Sequence, residues 1–107
     1  MKTGVEIISD ERTSQIIEEG YSLEEDDRQN NDELALAAAC YAIPYHLRQY
    51  MMDHYNIDLW PWERLSYKPS KSQIGNDRIH ELAKAGALIA AEIDRLQRLK
   101  GKDNRDE

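Results

Sequence analysis

The chain has no phenylalanine, one cysteine, three prolines and five glycines in 107 residues. A single cysteine, Cys40, excludes a disulfide frame and a cysteine metal site, and its place among alanines reads as a small buried hydrophobe. No stretch reaches the roughly 18 apolar residues of a membrane span, and no charged, apolar, small-residue leader opens the chain. A soluble, cytoplasmic protein is expected. Alternating apolar and polar runs are missing, so no sheet is expected either. The scattered glycines form no phosphate-cradling loop, no Gly-x-Ser-x-Gly elbow occurs, and His46, His54 and His80 fit no His-Glu-x-x-His pattern. Covalent and histidine-metal catalysis are therefore not expected.

What is present is charge and alanine. The net charge is −7, with eleven acids against three bases in residues 1–33 and seven acids against nine bases in residues 68–107. That balance disfavours binding of a nucleic-acid polymer, whose backbone calls for a basic surface. The basic C-terminal third pairs with the acidic N-terminal third of its own or a neighbouring chain, or meets a small phosphate ligand. A chain of this length forms one domain, here residues 1–107, with a core small enough that a homo-oligomer is expected.

One phrase occurs twice: Glu33-Leu34-Ala35 and Glu81-Leu82-Ala83, each opening a helix with small side chains. Small residues let helices approach closely, so the fold is expected to pivot on this contact. The reading is all-α with about four helices, a long C-terminal helix lying on the Ala-rich one. The first helix is expected over about Glu11 to Glu19, capped by Ser9 or Asp10, ended by Gly20, and burying Ile16 and Ile17; residues 1–8 and 101–107 are read as a flexible leader and tail. Ser22 with Glu25, Asn30 with Glu33, and Ser70 with Gln73 each have capping-box spacing. The Ala-rich helix should end near Ile43 before Pro44, and Tyr45 to His54 should form another. The last helix, Gln73 to Lys100, is expected to bury Leu82, Gly86, Ile89, Ile93 and Leu96, with Gly86 packed against Ala37 or Ala38.

Between these helices, Trp60-Pro61-Trp62 and Lys68-Pro69 mark an ordered aromatic loop. Two tryptophans around a proline can seal the end of a helical core. They can also offer a stacking platform for a base, with Arg64, Lys68, Lys71 and Arg78 near enough in sequence to meet phosphates. The acidic cluster Glu18, Glu19, Glu24, Glu25, Asp26, Asp27 and Glu33 reads as solvated helix caps; if it held Mg²⁺, Asp26, Asp27 and Glu33 would be the ligands. No resident cofactor is expected.

Taken together, Glu11-Arg12, Gln15-Ile16, Glu19-Gly20-Tyr21, Asp26-Asp27, Glu33-Leu34-Ala35, Trp60-Pro61-Trp62, Lys68-Pro69 and the run Lys84 to Leu96 resemble a family of small phage and prophage proteins. The resemblance spans nearly the whole chain apart from the tyrosine- and methionine-rich segment, and it implies a phage origin more than a reaction. Two positions depart from the pattern: Gln29 stands where the family often has His, and Asp32 where it often has Gly. A fainter likeness is to the all-α MazG-like nucleotide pyrophosphohydrolases, whose paired acidic motifs surround Mg²⁺; only Glu24-x-x-Asp27 is present here.

Three functions follow as expectations. The first is a non-catalytic binding protein that sequesters a nucleotide-type ligand, such as a host defence signal. The second is a Mg²⁺-dependent, MazG-like nucleotide pyrophosphohydrolase. The third is an inhibitor of a host enzyme acting through residues 45–55, whose Tyr and Met side chains suit an adaptable interface.

Overall fold

The computed structural model describes residues 1–17, 22–70 and 72–105, with side chains through Gly101. These residues form five α-helices, α1 (Gly4–Ile17), α2 (Leu23–Asp27), α3 (Glu33–Ala42), α4 (Tyr45–Tyr55) and α5 (Gly75–Arg105), and a 3₁₀ turn at Arg64–Ser66. No strand occurs among the described residues. α3 and α1 both pack along α5, and α2 touches it through a smaller contact.

α1 starts earlier than its sequence suggests, so residues 4–8 are helix and not leader. The reason is a capping box further upstream: the Glu6 N–H donates to Thr3 Oγ1 at 3.2 Å and the Thr3 N–H donates to Glu6 Oε1 at 3.0 Å. That hydrogen bond to Thr3 also holds the Glu6 carboxyl below its usual range. The buried residue of α1 is Gln15, whereas Ile16 and Ile17 are 44% and 73% exposed. Gly20, with Glu18 and Glu19, lies outside the described residues.

Ser22 caps α2 as its spacing predicts, with the Glu25 N–H donating to Ser22 Oγ at 3.0 Å, while the Glu25 carboxylate accepts from Arg28 Nη1 at 2.9 Å. Asn30 does not cap α3. The N-cap is Asp32, at φ 65° in the left-handed region and without a side-chain cap bond, while the Glu33 carboxylate reaches back to the Asn31 N–H. A left-handed turn is the conformation glycine adopts freely and Asp tolerates. α4 begins after Pro44 as expected. The Ser70–Gln73 box is absent: Gln73 instead accepts from the Tyr45 N–H at 2.9 Å and donates to Glu81, tying the start of α4 to α5.

The core lies between α3 and α5 and is made of Leu34, Ala37, Ala38, Tyr41, Ala85, Leu88 and Ala91, with Trp60, Trp62 and Tyr67 packed on its end. The long helix therefore meets α3 through alanines, as the small side chains imply. Its face is turned from the expected one, however. Leu82, Ile89, Ile93 and Leu96 are each about half exposed, and Glu81, Glu92 and Arg95 are buried in their place. Arg95 Nε donates to Glu92 Oε1 one turn away, which lets this charged pair occupy the inner face. The helix also runs on through Gly101 to Arg105, past the expected tail boundary.

Gly86 is a close-approach site, but its neighbour is α1. A Cβ there would sit 2.6 Å from Ile8 Cδ1, 2.8 Å from Cγ1 and 3.2 Å from Cγ2, so the partner is neither Ala37 nor Ala38. Gly86→Ala gains about 1 kcal/mol of helix propensity, yet overpacking costs about 1–3 kcal/mol, and the two Cγ contacts are not relieved by moving the far end of Ile8 alone, since χ1 of a β-branched residue in a helix is stiff. A net loss of about 1 kcal/mol is expected from denaturant melts. A double-mutant cycle with Ile8→Ala should show coupling of similar size, and strict additivity would refute the contact.

Candidate functional site

The aromatic loop folds because its polar atoms find partners locally. Trp60 Nε1 donates to Glu63 O at 3.0 Å, the Trp60 N–H donates to Asp58 Oδ1 at 3.0 Å, and Trp62 Nε1 donates to Gln29 Oε1 at 2.9 Å. The last bond joins the loop to the end of α2 and gives Gln29 a structural role. Trp60 meets Tyr41 and Trp62 edge-on, at centroid distances of 5.7 and 5.4 Å. These rings pack on one another and on the core, so the sealing role is realised, and no slot for a base opens between the two tryptophans.

A cleft of about 250 Å³ opens beside them, lined by Gln15, Tyr41, Trp60, Trp62, Lys68 and Lys84 together with Ser66 and Leu88. Small-molecule sites commonly span about 300–1,000 Å³, so this one matches a base or a sugar phosphate more than a whole dinucleotide. Among the described residues no carboxylate contributes to its lining and neither lysine forms an ion pair. Lys84 Nζ stands 5.3 Å from the centre of the Tyr41 ring. Gln15 is 3% exposed, and its Oε1 is buried with no hydrogen-bond partner among the described residues. Leaving such a carbonyl unpaired costs about 1–3 kcal/mol, so an unsatisfied amide in a cleft wall calls for a reason.

The other candidate residues scatter. Trp60, Trp62 and Lys68 reach the cleft, but Arg78 does not: its guanidinium donates to the carbonyls of Tyr41, at 3.1 Å, and Ala42, closing the C-terminal end of α3. Arg64 lies on the far side of Trp60, in a second cleft of about 280 Å³ with Tyr45, Arg48, Asp58 and Tyr67, where it stands 3.7 Å from Asp58. Lys71 lies outside the described residues. Gln15 and Lys84 were missed because they come from α1 and α5, far from the loop in sequence; a buried polar residue amid apolar ones was the only available sign.

The second cleft is built around Arg48, which is 6% exposed although α4 carries it. Its guanidinium lies 4.0 Å from the centre of the Tyr67 ring and donates to Asp58 Oδ1 at 3.0 Å. Burial pushes the Tyr67 hydroxyl up to about 12 and the Cys40 thiol above its ordinary value, with Arg48 opposing both. Both groups are therefore neutral near pH 7, and Cys40, 1% exposed, is an inert core residue as expected.

The acidic step does not converge on an open cation site. Asp26 is buried and accepts from Arg12 Nη2 at 3.0 Å, while Asp27 accepts from Arg98 Nη2 at 2.8 Å and Nε at 3.1 Å. Glu33 serves the turn before α3, and no group of three metal-ligating side chains occurs among the described residues. No described helix is long and apolar enough to cross a membrane. Comparison with protein families, with curated proteins and with solved structures yields no match.

Proposed function

We propose that this is a non-catalytic binding protein that holds a small nucleotide-type ligand in the cleft between α1, α5 and the aromatic loop. The observation that carries this reading is the buried amide oxygen of Gln15, without a hydrogen-bond partner among the described residues, in a cleft whose wall also holds aromatic rings and two lysines that form no ion pair with a described residue. A flat base would lie against the aromatic wall, Lys68 and Lys84 would meet its phosphate, and Gln15 would take up the polar edge of the base. In a phage, such a protein would sequester a host signalling nucleotide. The pyrophosphohydrolase reading is the weaker one, because Arg12 and Arg98 already hold two of its three carboxylates.

The test is to incubate the purified protein with nucleotide extract from host cells, wash, denature, and identify what is released by mass spectrometry. Release of an intact nucleotide is expected. Lys68→Glu, at an exposed position, should weaken its binding about tenfold or more, equivalent to about 1.4 kcal/mol. A cleaved nucleotide would establish the enzyme instead. Nothing released, together with no binding of any common nucleotide by calorimetry, would sink the proposal and leave the exposed Leu47, Tyr50 and Tyr55 of α4 as the surface to pursue.

A further inference from the structure

We infer that two copies of this chain associate through the outward ridge of α5, each covering the other's Leu82, Ile89, Ile93 and Leu96. The distribution of side-chain size along α5 is inverted for a lone domain. Alanines 85, 87 and 91 fill its inner face, whereas these four large aliphatic residues are 46%, 48%, 51% and 48% exposed. Ile79 and Leu99, at 48% and 49%, extend the exposed apolar surface at its ends. Six half-exposed aliphatic side chains amount to roughly 500 Å² of apolar surface per copy, in the upper part of the range of about 300–600 Å² for the largest patch of an ordinary monomer, a patch that is often functional.

The dimensions of the molecule point the same way. A monomer of 12.5 kDa is expected to expose about 6,200 Å². This chain exposes 7463 Å². Its radius of gyration is 15.1 Å, against about 13 Å for a compact domain of similar length. The shortest axis is 20 Å, room for two helix diameters of about 10 Å each. With α3 and α1 on its other sides, α5 has no third layer of described residues over the ridge.

The occupant is a second copy because the ridge repeats. Leu82, Ile89 and Leu96 recur every seven residues, the spacing that keeps one seam of a helix turned toward an identical helix along its whole length. Ile8 covers Gly86 at the ridge's edge, so α1 borders the seam without occupying it. Mutual burial of the two ridges together with Ile79 and Leu99 at their ends removes roughly 1,000 Å² from water, about the least that a specific interface buries.

Sedimentation equilibrium or light scattering is expected to give twice the chain mass of 12.5 kDa for the full chain. Ile89→Lys should return the mass to that of one chain, with helical circular dichroism retained because residue 89 contacts solvent in the monomer. Should that variant misfold, Ile89→Cys supplies an independent reading: with Cys40 buried, oxidation should cross-link two chains through residue 89 alone. A full-length chain that stays monomeric across the micromolar range overturns the inference, as does a dimer that neither Ile89→Lys disrupts nor Ile89→Cys cross-links.

Discussion

Asp26→Asn is expected to destabilise the fold by about 3–5 kcal/mol, because it removes the charge facing a buried arginine while keeping the shape of the side chain. The two side chains are 12% and 4% exposed for Arg12 and Asp26, and they meet at 3.0 Å. Arg12 Nε and Nη1 already lack hydrogen-bond partners among the described residues, so no other described group stands ready to accept its charge. A domain of this size is stable by about 5–15 kcal/mol in total. The substitution therefore removes a large share. Urea melts at one fixed protein concentration read the effect, and a loss below about 1 kcal/mol would show that the pair is effectively solvated. Replacing both partners with apolar residues of similar size should recover most of the loss, which separates an orphaned charge from a lost contact.

Leu34→Ala should cost nearly as much, toward the upper part of the range of about 2–5 kcal/mol seen for buried leucines. Leu34 is 1% exposed and is the largest side chain fully buried in the core. Its neighbours in that core include Ala37, Ala38, Ala85 and Ala91, short side chains fixed on two packed helices. Alanine has no rotamer with which to collapse into a cavity, so the hole persists. Leu65→Ala, at a position 82% exposed, is the control and should change stability by less than about 0.5 kcal/mol. Equal losses at Leu34 and Leu65 would mean that the core lies elsewhere.

How much of this was legible before folding differs from element to element. α4 and the end of α3 follow directly from Pro44, whose ring restricts the residue before it and suits the first turn after it. The Ser22 cap is equally local, a hydroxyl three residues from the amide it serves. The start of α1 carried the same kind of signal in Thr3 and Glu6, and the stronger apolar pattern downstream obscured it. By contrast, the inner face of α5 could not be read from hydrophobicity. Its most apolar stripe faces outward, and the buried stripe owes its place to the small alanines that fit α3 and to a carboxylate and a guanidinium that satisfy each other.

The candidate site divides along the same line. Trp60, Trp62 and Lys68 were recognisable because they sit together in an irregular, proline-marked segment. Arg78 was indistinguishable in sequence from a phosphate-binding arginine, yet its reach across α5 to the end of α3 gives it two carbonyls. The carboxylates Asp26 and Asp27 likewise pair with arginines 14 and 71 residues away, respectively, and no local spacing rule reports such distances.

The sequence by itself determined the helical class, the Ser22 cap, the break at Pro44, the alanine contact between α3 and α5 and the burial of Cys40, since each depends on the conformational preferences or size of neighbouring residues. Only the tertiary structure decided which face of α5 turns inward, which charges are paired, and that Gln15 and Lys84 join the aromatic loop around one cleft. Those outcomes depend on which groups meet across long stretches of chain, and a single strand of residues carries no record of that until the helices pack.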